Sequence, residues 1–329
     1  MTSTAAMRTR QVDACILCGT AGRMLHQGLH DRLFGIPGTW SIRKCGAPDC
    51  GLLWLDPAPV EDDVGKPYAT YYTHDASGDA RRSLKAIFVR NIVRCLNLLL
   101  LPLGIRRKRF LASTIYLAGM KPGRLLDVGC GDGAVLDRLR GMGWQVEGVE
   151  VDPKAVESAR RDLGLSVRQG TLAQAAFAAD TFDAVVLSHV IEHVHDPVAL
   201  LRECRRILNR GGCLVLVTPN AASFGHAWFG EHWLHLDPPR HLHLFTLSAL
   251  RRAALAAGIS RVEAFTTPAQ AESTFIDSEA IRTGARFRLS ESPAAVSTAC
   301  RAFLFQARAL LCSLRRGDTG EEIVLKASK

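Results

Sequence analysis

From Arg124 onward, short apolar runs alternate with stretches whose apolar residues recur every three or four positions. These are the periods of buried strands and of amphipathic helices. The runs predict strands over 124–128, 145–151, 166–169, 182–188 and 213–218, with helices over 134–140, 153–163 and 197–208 between them. Pro153 stands at the first turn of its helix, where an amide donor is not needed. Gly211-Gly212 is expected to end the third helix, and beyond it 247–257 reads as a helix, 261–265 as a strand and 322–326 as a closing strand. Helices between apolar strands imply an α/β domain, with a mostly parallel sheet covered on both faces. Ligand loops then lie at the carboxyl ends of the strands.

Two stretches depart from this pattern. Residues 84–101 are strongly apolar, yet Arg90, Asn91, Arg94 and Asn97 interrupt them and Pro102 ends them. A transmembrane helix seldom carries two arginines in its middle. At helical spacing Arg90, Arg94 and Asn97 share one face, with Ile87, Phe88, Ile92, Leu96 and Leu99 largely opposite. In 294–316, Arg301, Arg308 and Arg315 recur every seven residues beside Phe303, Leu304, Leu311 and Leu314. Each is an amphipathic helix, either packed on the domain or lying in a membrane interface.

The 329 residues, 47% hydrophobic and 22% charged, suit a soluble main domain plus a small accessory one. The first ten residues lack the apolar core of a signal peptide, so the expectation is a cytoplasmic protein. Peripheral contact with the inner face of a membrane would run through 84–101 and 294–316. The formal charge is +9, and the nine Lys/Arg from Arg81 to Arg109, with no Asp or Glu among them, equal that excess. A basic stretch so localised marks a docking surface.

Cysteine adds a metal. Cys15 and Cys18 form one close pair, Cys45 and Cys50 another, with 26 residues between the pairs. Two knuckles of this kind hold one tetrahedral zinc in a zinc ribbon, and four thiolates leave no open coordination position for catalysis. The alternative is four unrelated buried thiols. The chain therefore divides into a zinc-ribbon-like unit (1–56), a linker with the basic amphipathic helix (57–105) and a main domain (106–329). Within the last lie a 221–245 insertion at the acceptor site and the 294–316 helix. In the linker, Tyr71 and Tyr72 either contact substrate or pack the ribbon onto the main domain.

Asp127-Val-Gly129-Cys130-Gly131-Asp-Gly133 joins the first strand to its helix. Such a turn lets backbone amides come close to a ligand, although it also fits the loose dinucleotide fingerprint. Glu150, 23 residues after Asp127 at the end of the second strand, can accept both hydroxyls of a ribose lying across the turn. Gly170-Thr171-Leu172 and Ser188-His189 follow strands three and four on the same edge.

Taken with the 181–197 segment, these motifs resemble the class I S-adenosylmethionine-dependent methyltransferases, closest to the branch containing the ubiquinone-pathway enzymes, over about 109–266. The resemblance implies a Rossmann-like sheet and S-adenosylmethionine as cofactor. Its methionine part would lie at the glycine turn, Asp127, Gly129, Cys130, Gly131 and Gly133, its ribose at the Glu150 position and its adenine near Gly170, Thr171 and Leu172, with Val151 and Ser188 as further cofactor contacts. The N-terminal cysteines, with Gly51 to Pro59 after them, resemble the zinc-ribbon segment before many bacterial methyltransferases of sugar and surface-glycan pathways. In the deoxysugar C-methyltransferases a Glu-His after strand five carries the base. Here His241 matches that histidine, while Arg240 replaces the Glu, and Leu242 and His243 stand at the tyrosine positions.

An imidazole titrating near neutrality suits removal of the acceptor's proton. His241 is the expected base, His189 is expected to face the methyl-transfer centre, and Trp233 and His243 are expected to line the acceptor pocket beside Tyr71 and Tyr72. His189-Val-Ile-Glu192-His193 also spells a zinc-peptidase pattern, but that pattern needs a long helix, and here it follows a buried strand and precedes Asp196-Pro197. The expected function is methyl transfer to a sugar, glycan or lipid-linked small molecule. An RNA methyltransferase of the ribosomal-RNA type and a non-catalytic module that has kept the fold are the alternatives. Against nucleic acid, the basic stretch is interleaved with Leu, Ile and Val rather than stacking aromatics.

Overall fold

The computed structural model describes residues 7–66, 98–284 and 295–329. The expected 84–101 helix, up to residue 97, and Tyr71 and Tyr72 lie outside the described residues. In the N-terminal unit, β1 (Thr9–Arg10) precedes an antiparallel sheet of β2 (Gly22–Leu29), β3 (Trp40–Cys45) and β4 (Leu53–Asp56), and β5 (Ala58–Pro59) returns to pair with β1. After α1 (Ile105–Ser113) come β6 (Arg124–Val128), α2 (Ala134–Gly141), β7 (Gln145–Glu150), α3 (Pro153–Leu163), β8 (Val167–Gln169) and the short α4 (Leu172–Ala175). Then follow β9 (Phe182–Ser188), α5 (Pro197–Ile207), β10 (Leu208–Pro219), α6 (Phe224–Phe229) and β11 (His243–Leu244). The chain closes with α7 (Leu247–Ala256), β12 (Val262–Thr267), α8 (Ala271–Thr283), α9 (Ala295–Arg315) and β13 (Glu322–Ser328).

The main sheet runs β12-β13-β10-β9-β6-β7-β8, with β13 antiparallel to both neighbours and the other pairings parallel. The chain reverses its direction of travel between β6 and β9, the switch point where ligands settle in such sheets. Alternation along the strands explains the two-sided cover. Leu125, Ala184, Val186 and Val215 pack with Leu136, Leu139 and Val156 of α2 and α3. Their neighbours Leu126, Val185, Leu187 and Leu214 pack with Leu201 of α5 and Leu250 and Ala253 of α7. Full burial of each such leucine or valine favours folding by roughly 1.5–3 kcal/mol.

One boundary differs from expectation. Strand β10 begins at Leu208, which pairs with Phe182, and the next ladder partners are Cys213 and Ala184. Gly211, at φ +77°, lets the four residues between bulge inside the strand, so the glycine pair interrupts β10 and does not end α5.

The N-terminal sheet does not stand alone. β11, from the expected acceptor insertion, pairs with β4 and gives the order β11-β4-β3-β2. One face of this sheet, with Trp40, Ile42, Leu53 and Leu55, packs on Phe275 of α8 and Phe305 of α9. Leu52 and Trp54 belong to the same buried cluster as Leu250. Among the described residues no helix is long and apolar enough to cross a membrane.

Candidate active site

The turn after β6 places its three glycines differently. Gly131, at φ +54°, would carry a Cβ into open space, the one position of the three where the backbone borders room for a ligand. Side chains at Gly129 and Gly133 would instead strike Val190 and Leu165. Packing alone therefore already requires glycine at these two positions. Glu150 closes over the turn from the end of β7. Its carboxylate accepts from the Gly131 amide at 2.9 Å and from the Val151 and Asp152 amides at 2.7 and 2.9 Å. Those bonds fix its direction and still leave lone-pair capacity for a hydroxyl.

Asp127 lies buried beneath the turn. Burial, and then the charge of Glu150, push its carboxyl up to about 8. Cys130 turns its side chain into the core, so only its backbone faces the turn. Leu172 likewise packs inward, while Thr171 caps α4 through a reciprocal box with Gln174. Gly170, Thr171, Val151 and Ser188 all reach the same carboxyl edge as Glu150.

Beyond β9 the chain builds a histidine cluster. His189 takes a left-handed conformation at φ +56°. Its Nδ1 lies 3.3 Å from Glu192 and its Nε2 3.0 Å from Glu322, at the start of β13. Burial alone would lower this imidazole, but the two carboxylates outweigh it and raise it to about 10. For Glu192 burial would raise the carboxyl, and His189 instead holds it down at about 2. His189 thus turns both ring nitrogens to carboxylates, which favour its protonated form and fix its direction at this edge. Sequence reasoning missed Glu322, because only the placement of β13 beside β10 brings it to this edge.

His241 and His193 meet behind His189, with ring centroids 4.7 Å apart. Nδ1 of His241 donates to the His235 carbonyl at 2.7 Å, and Nδ1 of His193 to the Arg240 carbonyl at 3.0 Å. A carbonyl only accepts, so in each neutral ring Nε2 carries the lone pair. One ligand atom from each of Glu192, His193 and His241 lies within 4.8 Å of the others, a set able to hold a proton or a small cation. Burial first, and then His241, lower His193 to about 4, and burial likewise lowers His235. The peptidase set is not formed: 191–193 is a single 3-10 turn, and His189 is committed to Glu192 and Glu322.

Two expected acceptor contacts are corrected. Trp233 is 1% exposed and stacks on His226 at 4.6 Å inside the core. His243 lies in β11, buried, and its Nδ1 donates to the Val194 carbonyl at 3.1 Å. Both are buried and fix the insertion in place. Arg240, which departs from the family's Glu, has a structural reason. Its buried guanidinium binds both oxygens of Asp31 at 2.8 and 2.9 Å and also grips Asp237. Asp31 belongs to the N-terminal unit and also accepts from the Leu33, Phe34 and Ile36 amides.

The four cysteines converge. Cys15 and Cys50 sulfurs lie 3.7 Å apart, Cys18 and Cys45 sulfurs 3.4 Å apart, and all four fall within 4.8 Å of one another. Tetrahedral zinc with Zn–S bonds of about 2.3 Å sets its sulfurs about 3.8 Å apart. The donor set therefore fits zinc. Without a metal, burial pushes the Cys15 and Cys50 thiols up, whereas the Thr20 hydroxyl foremost brings Cys18 down to about 6.

Comparison with known proteins agrees with this geometry. The family described as "Methyltransferase domain" matches residues 104–264. The ubiquinone biosynthesis O-methyltransferase of Xanthomonas oryzae pv. oryzae is 34% identical over 48% of this chain and 67% of its own length. The protein of that name from Cereibacter sphaeroides is 36% identical over 36% of this chain and 51% of its own length. The chain thus spans from about half to two thirds of the length of these relatives. A solved methyltransferase from Archaeoglobus fulgidus aligns at 18% identity over 68% of this chain and 92% of that one, with a TM-score of 0.45. The switch-point turn, the carboxylate held over it and the extent of the match to a relative lead to one assignment: the chain belongs to the class I S-adenosylmethionine-dependent methyltransferases.

Proposed function

We infer that the protein methylates an oxygen of a small-molecule acceptor, lipid-linked or of the sugar and glycan type, with His241 as the base. The observation that carries this reading is Glu150 held over the open Gly131 position at the β6/β9 switch point. The O-methyltransferase names of the relatives support oxygen as the atom methylated. When bound, S-adenosylmethionine supplies an electrophilic methyl on a positively charged sulfur. Glu150 would hold the ribose and place negative charge near the donor's positive groups, over the buried carboxyl of Asp127. His189, held between Glu192 and Glu322, would form a fixed wall of the donor edge beside the acceptor.

The acceptor's proton passes to Nε2 of His241, whose Nδ1 is anchored by the His235 carbonyl. Glu150 with the backbone at Gly131 would hold the bound cofactor in place for transfer of its methyl group to the acceptor oxygen. General-base help of this kind accelerates turnover about 10²–10⁴-fold. Labelled S-adenosylmethionine incubated with RNA, sugar-nucleotide and lipid pools should mark a lipid or sugar fraction, and label confined to RNA overturns the reading. The variant His241→Ala should bind the cofactor as before and lose most turnover, while an undiminished rate removes His241 as the base.

A further inference from the structure

We propose that the surface formed by residues 98–110 and the C-terminal half of α9 docks on an anionic lipid bilayer. Leu100 and Ile105 pack on Leu310 and so fix this segment against α9. Their neighbours point outward. Leu99 and Leu314 are each 67% exposed, Leu98 62%, Phe110 57% and Leu311 49%. Leu304 continues the exposed leucines one turn or two towards the start of the helix. A water-facing surface with this much adjoining aliphatic area is a contact surface in want of an apolar medium.

Charge chooses the occupant. Arg106 and Arg107 share the outer face of α1 with Phe110, and Lys108 follows them. Arg315 and Arg316 stand at the end of α9 beside Leu314, and 295–317 contain no Asp or Glu. None of these five cations has an ion-pair partner among the described residues. A second copy of the chain would bring the same cations face to face, whereas anionic headgroups would neutralise them. Basic side chains around exposed leucines are what an interfacial helix needs, with the leucines in the acyl boundary and the cations at headgroup level. Arg308, over the face of Trp228 at 5.6 Å, joins a further half-exposed aromatic to the same side of α9.

Docking of this kind does not depend on methyl transfer and is measured without the cofactor. The full chain should float with vesicles of phosphatidylglycerol and phosphatidylcholine, float poorly with phosphatidylcholine alone, and be released by salt. Leu311→Ser with Leu314→Ser should lower the partition coefficient about tenfold or more, as two leucines are withdrawn from the interface. Both positions are exposed, and an unchanged circular dichroism spectrum and cofactor affinity establish that the variant folds. Arg106→Gln with Arg107→Gln should weaken binding to the anionic vesicles and flatten its salt dependence. Equal partition into neutral and anionic vesicles, partition into neither, or full binding by the leucine variant overturns the proposal. So does a dimer in solution that the leucine variant dissolves, which assigns the face to a second copy.

Discussion

A carboxyl group buried beside another carboxylate keeps its proton far above the usual carboxylate range, and Asp127 does so up to about 8. The native state then holds a proton that the unfolded chain releases near pH 4. That contribution is fully present at low pH and is lost as pH rises through about 8. Asp127→Asn, which cannot ionise, should therefore gain melting temperature over the parent as pH climbs from 5 to 9. A melting difference that stays constant with pH in a thermal scan would refute the assignment. The position of Asp127 is legible in the sequence because it ends an apolar strand before glycines. Its protonation is not, since that depends on Glu150 arriving from a neighbouring strand. His189 shows the same limit. Its place after β9 follows from the pattern, whereas its protonated form is favoured by Glu322, 133 residues further on.

At the scale of elements, β6 and β9 and the helix α3 fall where hydrophobic period places them, because each answers to local alternation and to its own caps. Asp152, for example, caps α3 by accepting from the Lys154 amide at 2.9 Å. The insertion is less legible, because its partners are distant. Trp233 and His243 read as pocket residues from their chemistry, yet the first fills a core against His226 and the second edges a sheet with Trp54 opposite. Arg240 ties that insertion to Asp31 across the buried interior. Removing one partner of a buried charge pair costs about 3–5 kcal/mol. Arg240→Met should thus lower unfolding stability by that order in urea titration, and a loss within error of zero would show that the pair is dispensable.

For the molecule as a whole, the cysteine centre and the methyltransferase sheet are coupled through shared packing. The Cys50 carbonyl accepts from Thr246 and Ser248 at the start of α7, at 2.7 and 3.0 Å. Asp49 pairs with Arg252 on the same helix. Zinc loss should accordingly destabilise both units together. The purified chain should hold about one zinc, and a chelator should lower a single cooperative melting transition. A metal-free protein that melts as before would show that the thiols are only packed. The ribbon was readable from cysteine spacing alone, but its union with the catalytic domain was not, since spacing carries no information about an edge strand supplied from elsewhere.

That edge strand has a consequence for how the protein is made. β4 leaves the ribosome before its partner β11, which is synthesised about 190 residues later. At about 5–20 residues per second, β4 waits for its neighbour for roughly ten seconds or more. During that interval the nascent chain presents an apolar strand with one side unpaired, and its two knuckles can already gather their cysteines. Metal capture is then possible before the sheet is complete, so early zinc loading would hold the strand's register until the partner emerges.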